Sequence, residues 1–410
     1  MREAIRDGSW LTAERVRMYA LMIAVGGISS LLFVWFTGPT ALLDRFGRPI
    51  GTDFSAFWTS GRMLLEGDTH GMFDPATHFA FQYKTFKDPY VDHYGWHYPP
   101  FFLAVAALVA TLPYVPALLA WQTVTFAMFA ATIRAIAPRH RLVFLATLGF
   151  PAVIVTLGHG HNAFLTSALL GTGLVMLDKR PLVAGLCLGL LAYKPQFVIV
   201  LPLVLVLGGY WRAALAAAAT VVAMIILSTL LLGPEVWSAF AKGAVFTREV
   251  ILEQGTTGWQ KIQSVFSAVR SLGAPVPFAY AAQAIATLIV LAALTAMNLV
   301  CADRRLIAAA IAIATLLATP YCLDYDMTIL GVAIAFCLAY AAQEGFAPYE
   351  KSLLALVWIA PFVARTGMGA TGIPIGVLTM IGFFAFVVHR ALRSAEVKLT
   401  MVQNWSAVRG

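Results

Sequence analysis

The residue whose position points most directly to chemistry is Asp53, in the string Gly51-Thr-Asp-Phe-Ser-Ala-Phe-Trp58. An amphipathic pattern continues from it through Leu65, which places the carboxylate near the start of a predicted helix. A carboxylate held in this way can accept a proton from a hydroxyl group as a general base. The alternative interpretation is that Asp53 only caps the helix, as aspartate often does.

A second group of candidates is cationic. Lys194 is the one charged residue of the apolar stretch 181–207. A charge inside such a stretch needs a partner or a water-filled cavity, and its default interpretation is functional. We therefore predict that Lys194 holds a phosphate group. Lys261 and Arg270 are further candidates for phosphate contact, although each could be a solvated loop charge.

Polar strings between apolar segments supply candidates for substrate binding. In Gly158-His-Gly-His-Asn162, two imidazoles without a carboxylate or thiol make a poor metal site, and Asn162 could instead cap the next helix. In Thr319-Pro-Tyr-Cys-Leu-Asp-Tyr-Asp326, two carboxylates flank an aromatic ring, where they could bind hydroxyl groups or interact with a helix dipole. The predicted substrate-binding residues are His97, Tyr98, His159, Asn162, Gln196, Gln263, Asp324, Tyr325 and Asp326. No metal site is predicted.

Apolar elements must position these residues. Of 410 residues, 60% are hydrophobic and 12% charged, whereas a soluble domain has about 25% charged residues. Runs of about 20 apolar residues cross a bilayer, and such runs recur from residue 18 almost to residue 390. The first, residues 18–36, is interpreted as an anchor rather than a cleaved signal. The sequence thus excludes a soluble protein and predicts an all-α, polytopic transmembrane helical bundle of about ten to thirteen spans, as a single domain over residues 1–410.

Two polar segments, residues 38–97 and 233–275, are long enough to hold a site. The first is expected to carry amphipathic helices. Lys and Arg accumulate in cytoplasmic connections, which explains the net charge of +8 without a nucleic-acid partner. The same rule places both polar segments and the polar strings on the outer face. We expect a bacterial inner (plasma) membrane protein whose active site faces the periplasm or cell exterior.

The order of these motifs resembles glycosyltransferase family 87. The family comprises polytopic enzymes of the C-type glycosyltransferase fold, and its characterised members are mannosyltransferases that depend on polyprenyl-phosphate-mannose. The resemblance covers most of the chain. It rests on Asp53 after the first span, and on Tyr98-Pro-Pro-Phe101, Gly160-His-Asn162 in place of the more usual Gly-Gln-Asn, Ala192-Tyr-Lys-Pro-Gln196, Lys261-Ile-Gln-Ser264 and Ala318-Thr-Pro-Tyr321.

The chain departs from the family pattern at one place. Several relatives resemble Ser-Pro-x-Ser-Trp-x-His-His where this chain has the string from Thr319 to Asp326. Any role of those histidines is therefore not transferred, and the sugar and the acceptor stay open.

The resemblance implies a glycosyltransferase that moves a hexosyl residue, mannosyl in the characterised members, from a polyprenyl-phosphate donor to a glycolipid or glycan acceptor. It implies an inverting displacement with Asp53 as base and no cofactor. Negative charge develops on the leaving phosphate in the transition state and needs a cation to stabilise it. We assign this role first to Lys194, and then to Lys261 and Arg270. The expected partners are the donor, the acceptor and membrane lipid.

Two alternatives stay open. A secondary transporter also has many spans and rare intramembrane charges, but usually shows internal repeats, and none is evident here. A ligase or polymerase that moves whole glycans from a lipid diphosphate would not need Asp53.

Overall fold

The computed structural model describes residues 2–87, 94–138, 140–300 and 302–409, with side chains described as far as residue 396. Within that part of the chain the regular structure is helical, without strands. The α-helices are α1 Arg2–Asp7, α2 Ala13–Phe36, α3 Thr52–Leu65, α4 Pro75–Phe86, α5 Leu103–Ala110, α6 Tyr114–Ile136, α7 Arg141–Leu148, α8 Pro151–His159, α9 Ala163–Met176, α10 Pro181–Leu190, α11 Leu201–Leu207, α12 Trp211–Leu232, α13 Glu235–Phe246, α14 Val265–Ser271, α15 Val276–Leu299, α16 Arg304–Leu317, α17 Ile329–Glu344, α18 Glu350–Thr371 and α19 Ile375–Arg409. Short 3-10 helices cover Gly71–Phe73, Pro100–Phe102, Leu191–Tyr193, Pro195–Phe197 and Asp324–Thr328, and a π-helix covers Thr247–Glu253.

Among the described residues, seven helices are long and apolar enough to cross a membrane. They are Ala13–Phe36, Tyr114–Ile136, Trp211–Leu232, Val276–Leu299, Asp324–Glu344, Glu350–Thr371 and Ile375–Glu396. Helices α7 and α8, bent by 43°, would form an eighth span. The rest of the predicted ten to thirteen spans correspond to shorter apolar helices, namely Pro100–Ala110, Ala163–Met176, Pro181–Tyr193 and Pro195–Leu207. The prediction of an all-helical, multi-pass membrane protein is confirmed. Helices are expected here because, within a bilayer, the backbone N–H and C=O groups must form hydrogen bonds within their own segment.

The helix predicted after the first span is present as α3, over Thr52–Leu65. It begins at Gly51, which has a left-handed backbone (φ 68°) and no side chain to cap the helix. Asp53 lies in the first turn, with its side chain directed to neighbouring segments. The capping interpretation of Asp53 is therefore wrong, and the carboxylate is free for another role.

Helix α3 packs inside the protein rather than on its surface. It crosses α5 closely, because Gly61 allows the backbone of Ala106 to approach. Aromatic rings extend this packing towards the polar strings: Phe57 stacks on Trp96, and Phe102 stacks on Tyr193 with ring centroids 4.2 Å apart. The first polar segment is thereby fixed against the transmembrane helices.

The two ends of the bundle differ in charge. The span Asp324–Glu344 has 21 residues, or about 31 Å at 1.5 Å per residue. Its first residues belong to the polar strings, and its last residues lie among arginines. Ion pairs join several helices at that second end: Arg304–Asp178 at 3.2 Å, Arg390–Glu350 at 3.6 Å and Arg305–Glu344 at 3.9 Å. These three arginine ion pairs lie at the end away from the polar strings, whereas Arg365 lies beside Asp324 at the other end.

Replacing Gly61 by alanine tests the α3–α5 contact. Alanine normally stabilises a helix by about 0.5–1 kcal/mol relative to glycine, but here its Cβ would overlap the carbonyl oxygen of Ala106. We expect Gly61→Ala to lower the free energy of unfolding by about 1–3 kcal/mol, measured as a lower melting temperature in detergent. Gly26→Ala is the matched control, because no atom lies within 4 Å of the added Cβ. Equal melting temperatures for the two variants would contradict this packing.

Candidate active site

Five segments that are distant in the sequence meet at one end of the bundle. They are the start of α3, the turn between α8 and α9, the break between the two 3-10 helices at Lys194, residues 261–263, and residues 322–326. The last two are joined by paired backbone hydrogen bonds: the Gln263 N–H donates to the Cys322 carbonyl (2.6 Å), and the Asp324 N–H donates to the Lys261 carbonyl (3.0 Å). This pairing attaches the second polar segment to the start of a span.

Asp53 lies among positively charged and ionisable groups. Its Oδ2 atom is 3.0 Å from Nδ1 of His159 and 3.8 Å from Nζ of Lys261. Nδ1 of His159 also lies 2.7 Å from the Thr52 hydroxyl, within hydrogen-bond distance. Burial alone raises the pKa of the Asp53 carboxyl, but the ammonium of Lys261 and the His159 ring more than offset this, and the net pKa lies well below its ordinary value. Asp53 is therefore a carboxylate at neutral pH.

The ring of Tyr325 joins the histidines to the lysines. It stacks on His161 with centroids 3.6 Å apart, and Nζ of Lys261 and Lys194 lie 5.5 and 5.8 Å from its centroid. These distances are within the range of cation–π attraction. The hydroxyl of Tyr98 lies 3.2 Å from Nε2 of His161. Burial, followed by the charge of Lys194, holds the pKa of His161 well below its ordinary value, so its ring is neutral at neutral pH.

Lys194 has the partner that its burial requires. Its Nζ lies 2.6 Å from Oδ1 of Asp326, and both side chains are almost fully buried. Oδ2 of Asp326 accepts a hydrogen bond from the Leu323 N–H at 3.0 Å. Two charges removed from water are tolerated when they are paired and hydrogen-bonded in this way. Asp326 is thus engaged by Lys194 and the backbone, and the charge of Lys194 is already compensated.

Four buried polar atoms near Asp53 lack a hydrogen-bond partner among the described residues. They are Oδ2 of Asp53, Oε1 of Gln122, Oδ1 of Asn162 and Nδ1 of His161. Asn162 is the N-cap residue of α9, as the capping interpretation expected, but its side chain makes no capping hydrogen bond. Because an unpaired buried polar atom is unfavourable by about 1–3 kcal/mol, such a cluster requires an explanation. The three oxygen atoms accept hydrogen bonds, so the missing partner is a donor.

Other predicted residues stand beside this cluster. Asp324 is buried, accepts a hydrogen bond from the Tyr325 N–H (2.9 Å), and has Oδ2 3.6 Å from the guanidinium of Arg365. Gln263 donates from Nε2 to the Gln260 carbonyl at 2.8 Å. Both side chains have protein partners, and both shape the wall of the site.

The three remaining predicted residues are His97, Arg270 and Gln196. His97 lies 2.7 Å from the Thr247 hydroxyl through its Nδ1 atom. The guanidinium of Arg270 donates to the carbonyls of Ala274 and Glu253 and lies over Trp259. Gln196 is half-buried on the 3-10 helix after Lys194. Arg270 has contacts typical of a structural residue.

The sequence did not predict Thr52, Gln122 or Arg365 as members of the site. His161 was considered only as a possible metal ligand, and not as a neutral ring that stacks on Tyr325. Arg365 had a usable signal, because it is a lone charge inside the span Glu350–Thr371 and the argument applied to Lys194 holds for it equally. Among the described residues, no group of three or more His, Cys, Asp or Glu side chains is placed to hold a metal ion.

The pair Lys194–Asp326 can be tested by a double-mutant cycle. Lys194→Met or Asp326→Leu alone leaves an uncompensated buried charge, and we expect each to reduce the free energy of unfolding by about 3–5 kcal/mol. The double variant should be considerably more stable than the sum of the two losses predicts. Melting temperatures in detergent measure both effects, with the exposed pair Arg248–Glu249 as a control that shows little coupling. Additive losses at Lys194 and Asp326 would contradict the pairing.

Comparison with known proteins identifies the class of enzyme. The model of glycosyltransferase family 87 matches residues 96–320, which is more than half of the chain. The match contains Tyr98, His159, Asn162, Lys194 and Lys261, whereas Asp53 lies before it and Asp324–Asp326 lie after it. No curated protein and no solved structure matches the chain. The family match removes the transporter alternative: the chain belongs to glycosyltransferase family 87 and is a multi-pass membrane glycosyltransferase.

Proposed function

We propose that this enzyme transfers a hexosyl residue from a polyprenyl-phosphate sugar to a hydroxyl group of a glycolipid or glycan, and that the cluster around Asp53 is its active site. The observation that supports this is the set of unpaired acceptor atoms on Asp53, Gln122 and Asn162. A sugar presents several hydroxyl donors over a short distance, which is the chemistry that these atoms lack. The neutral ring of His161 adds a further polar contact.

In the proposed reaction Asp53 acts as general base. It accepts the proton of the acceptor hydroxyl as that oxygen attacks the anomeric carbon of the donor sugar. The bond between the anomeric carbon and the phosphate oxygen breaks, and the polyprenyl phosphate leaves with the electron pair. A single displacement of this kind inverts the anomeric configuration. Asp53 then carries the proton, which it releases to water when the products leave.

Lys261 is the better candidate for the leaving phosphate. The charge of Lys194 is compensated by Asp326 at 2.6 Å, whereas Lys261 lies 3.8 Å from Asp53, beyond hydrogen-bond distance. A phosphate between the two would draw the ammonium of Lys261 away from the carboxylate. The pKa of Asp53 would then rise towards its ordinary value, which makes the carboxylate a stronger base once the donor is bound.

A lateral groove next to the site could hold the apolar chain of the donor. It encloses about 430 Å³ between α2, α6, α7 and α8, and its lining is apolar except for a few side chains. Gln122 belongs both to this lining and to the unpaired cluster. A prenyl chain in the groove would therefore bring its phosphate and sugar close to Asp53.

Several finer points belong to the same proposal. Mannose as the sugar follows from the resemblance to characterised family members, and no cofactor is needed when lysine holds a monophosphate. The bacterial inner membrane, with the site at the periplasmic or outer face, is supported by the arginines at the opposite end of the bundle.

Asp53→Asn tests the base directly. We expect a loss of about 10²–10⁴-fold in kcat when the purified protein is incubated with radiolabelled polyprenyl-phosphate-mannose and a lipid extract of its source. Glu66→Gln is the matched control, since Glu66 is an exposed carboxylate just after the same helix. An undiminished rate in Asp53→Asn would show that Asp53 is not the general base, while the assignment as a glycosyltransferase would stand. No transfer by either protein, with other lipid-linked sugars also failing, would reject the donor class.

The pH dependence tests the influence of Lys261 on Asp53. In the wild type the lowered pKa keeps the carboxylate ionised at pH values where an ordinary aspartate becomes protonated, so kcat/KM should not fall there from protonation of Asp53. Lys261→Gln removes the largest charge that lowers the pKa, and the acidic limb of kcat/KM should move to higher pH. The exposed Lys242→Gln is the control. In the wild type the acidic limb of the kcat profile should lie at higher pH than the acidic limb of the kcat/KM profile. The reason is that kcat reports the pKa of Asp53 in the donor complex, whereas kcat/KM reports its pKa in the free enzyme. Identical limbs in all proteins would contradict the coupling.

A further inference from the structure

A second cavity lies at the end of the bundle away from the active site. It encloses about 1090 Å³ between the start of α2, α7, the end of α17 and the start of α18. Apolar side chains such as Met22, Leu338 and Leu356 form most of its lining. A volume of this size is slightly above the usual range for ligand pockets, about 300–1,000 Å³.

The lining also carries three cationic side chains and a histidine, and among the cations only Lys351 has a nearby counter-charge among the described residues, the exposed carboxylate of Asp7. Arg17, His140, Arg141 and Lys351 line the cavity, and no aspartate or glutamate does. Arg17 and Arg141 are exposed, and neither has an ion pair or hydrogen bond within the described chain. The ammonium of Lys351 lies 5.1 Å from the ring centroid of Phe346. Unpaired guanidinium groups beside an apolar cavity favour an anion that has an apolar body.

The segment between α1 and α2 contributes Trp10 and Leu11 to this cavity. Helix α1 is attached to α18 through the Tyr349 N–H, which donates to the Arg6 carbonyl at 2.6 Å. The Trp10 indole N–H donates to the Ser352 hydroxyl at 2.9 Å, and that hydroxyl donates to the Ile5 carbonyl at 2.7 Å. These bonds hold Trp10 beside Ser352, and both residues line the cavity together with Arg17 and Lys351. The cavity is therefore a formed site rather than a gap between loosely packed helices.

We propose that this cavity binds an anionic glycerophospholipid, with acyl chains against the apolar lining and the phosphate between Arg17, Arg141 and Lys351. A free phosphate would leave the apolar lining empty, and a zwitterionic lipid would bring no net charge to the guanidinium groups. Basic pockets between transmembrane helices at the charged end of a bundle are known sites for anionic headgroups. The basic residues of this site lie at the other end of the span Asp324–Glu344 from Asp53, and Arg17 also lines the groove proposed for the donor chain.

The test compares lipids that differ only in headgroup charge. Full-length protein in detergent is titrated with phosphatidylglycerol or phosphatidylcholine of identical acyl chains, and binding is followed by native mass spectrometry and by the melting temperature. We expect phosphatidylglycerol to bind on the order of tenfold more tightly and to raise the melting temperature by several degrees. Inorganic phosphate alone should leave the melting temperature unchanged.

Two kinds of variant locate the binding. Arg17→Gln combined with Arg141→Gln should abolish the preference for phosphatidylglycerol, while Arg212→Gln, at another exposed arginine without a partner in the described chain, should keep it. Ala355→Trp fills the cavity and keeps its charges, and it should weaken both lipids. Equal binding of the two lipids, a preference that survives the double variant, or stabilisation by phosphate alone would overturn the proposal.

Discussion

An apolar bundle in a bilayer accepts a buried charge only where an opposite charge or a hydrogen bond compensates it. The contact between Lys194 and Asp326 meets this condition and also organises the site. It joins the break after α10 to the start of the span that contains Tyr325. Once this span is fixed, the ring of Tyr325 stacks on His161, and the paired backbone of residues 261–263 brings Lys261 to Asp53. The position of the base thus depends on a pair that does not take part in the proposed chemistry.

The site combines satisfied and unsatisfied polar groups. The wall formed by Asp324, Asp326 and Gln263 is hydrogen-bonded within the protein. The acceptors on Asp53, Gln122 and Asn162 are not. In a low-dielectric interior an unpaired polar group is much less favourable than a hydrogen-bonded one. The hydrogen-bonded groups therefore have the character of a structural network, and the unpaired acceptors have the character of a binding surface. The proposed role of the site in binding a sugar rests on this difference, because a sugar carries many hydroxyl donors.

The sequence predicted much of this arrangement, and its failures have physical causes. The helix from Thr52 to Leu65 followed from its amphipathic pattern, and the need of Lys194 for a partner followed from its apolar surroundings. Which partner it has could not be predicted, because Asp326 is 132 residues away and pairing depends on how the spans pack. Arg270 looked equivalent to Lys261 in sequence. Only the folded chain shows that its guanidinium is held by carbonyls and Trp259.

The most direct test of the account is a structure of the enzyme with a non-transferable phosphonate analogue of the lipid-linked donor and an acceptor sugar. The account predicts the attacking hydroxyl within about 2.6–3.2 Å of the Asp53 carboxylate. It also predicts that the phosphonate contacts the ammonium of Lys261, and that sugar hydroxyls donate hydrogen bonds to the side-chain oxygens of Asn162 and Gln122. The account would be contradicted by a sugar bound elsewhere. It would also be contradicted if the acceptor hydroxyl lay beyond hydrogen-bond distance of Asp53 while the phosphonate contacted Lys194 or Arg270.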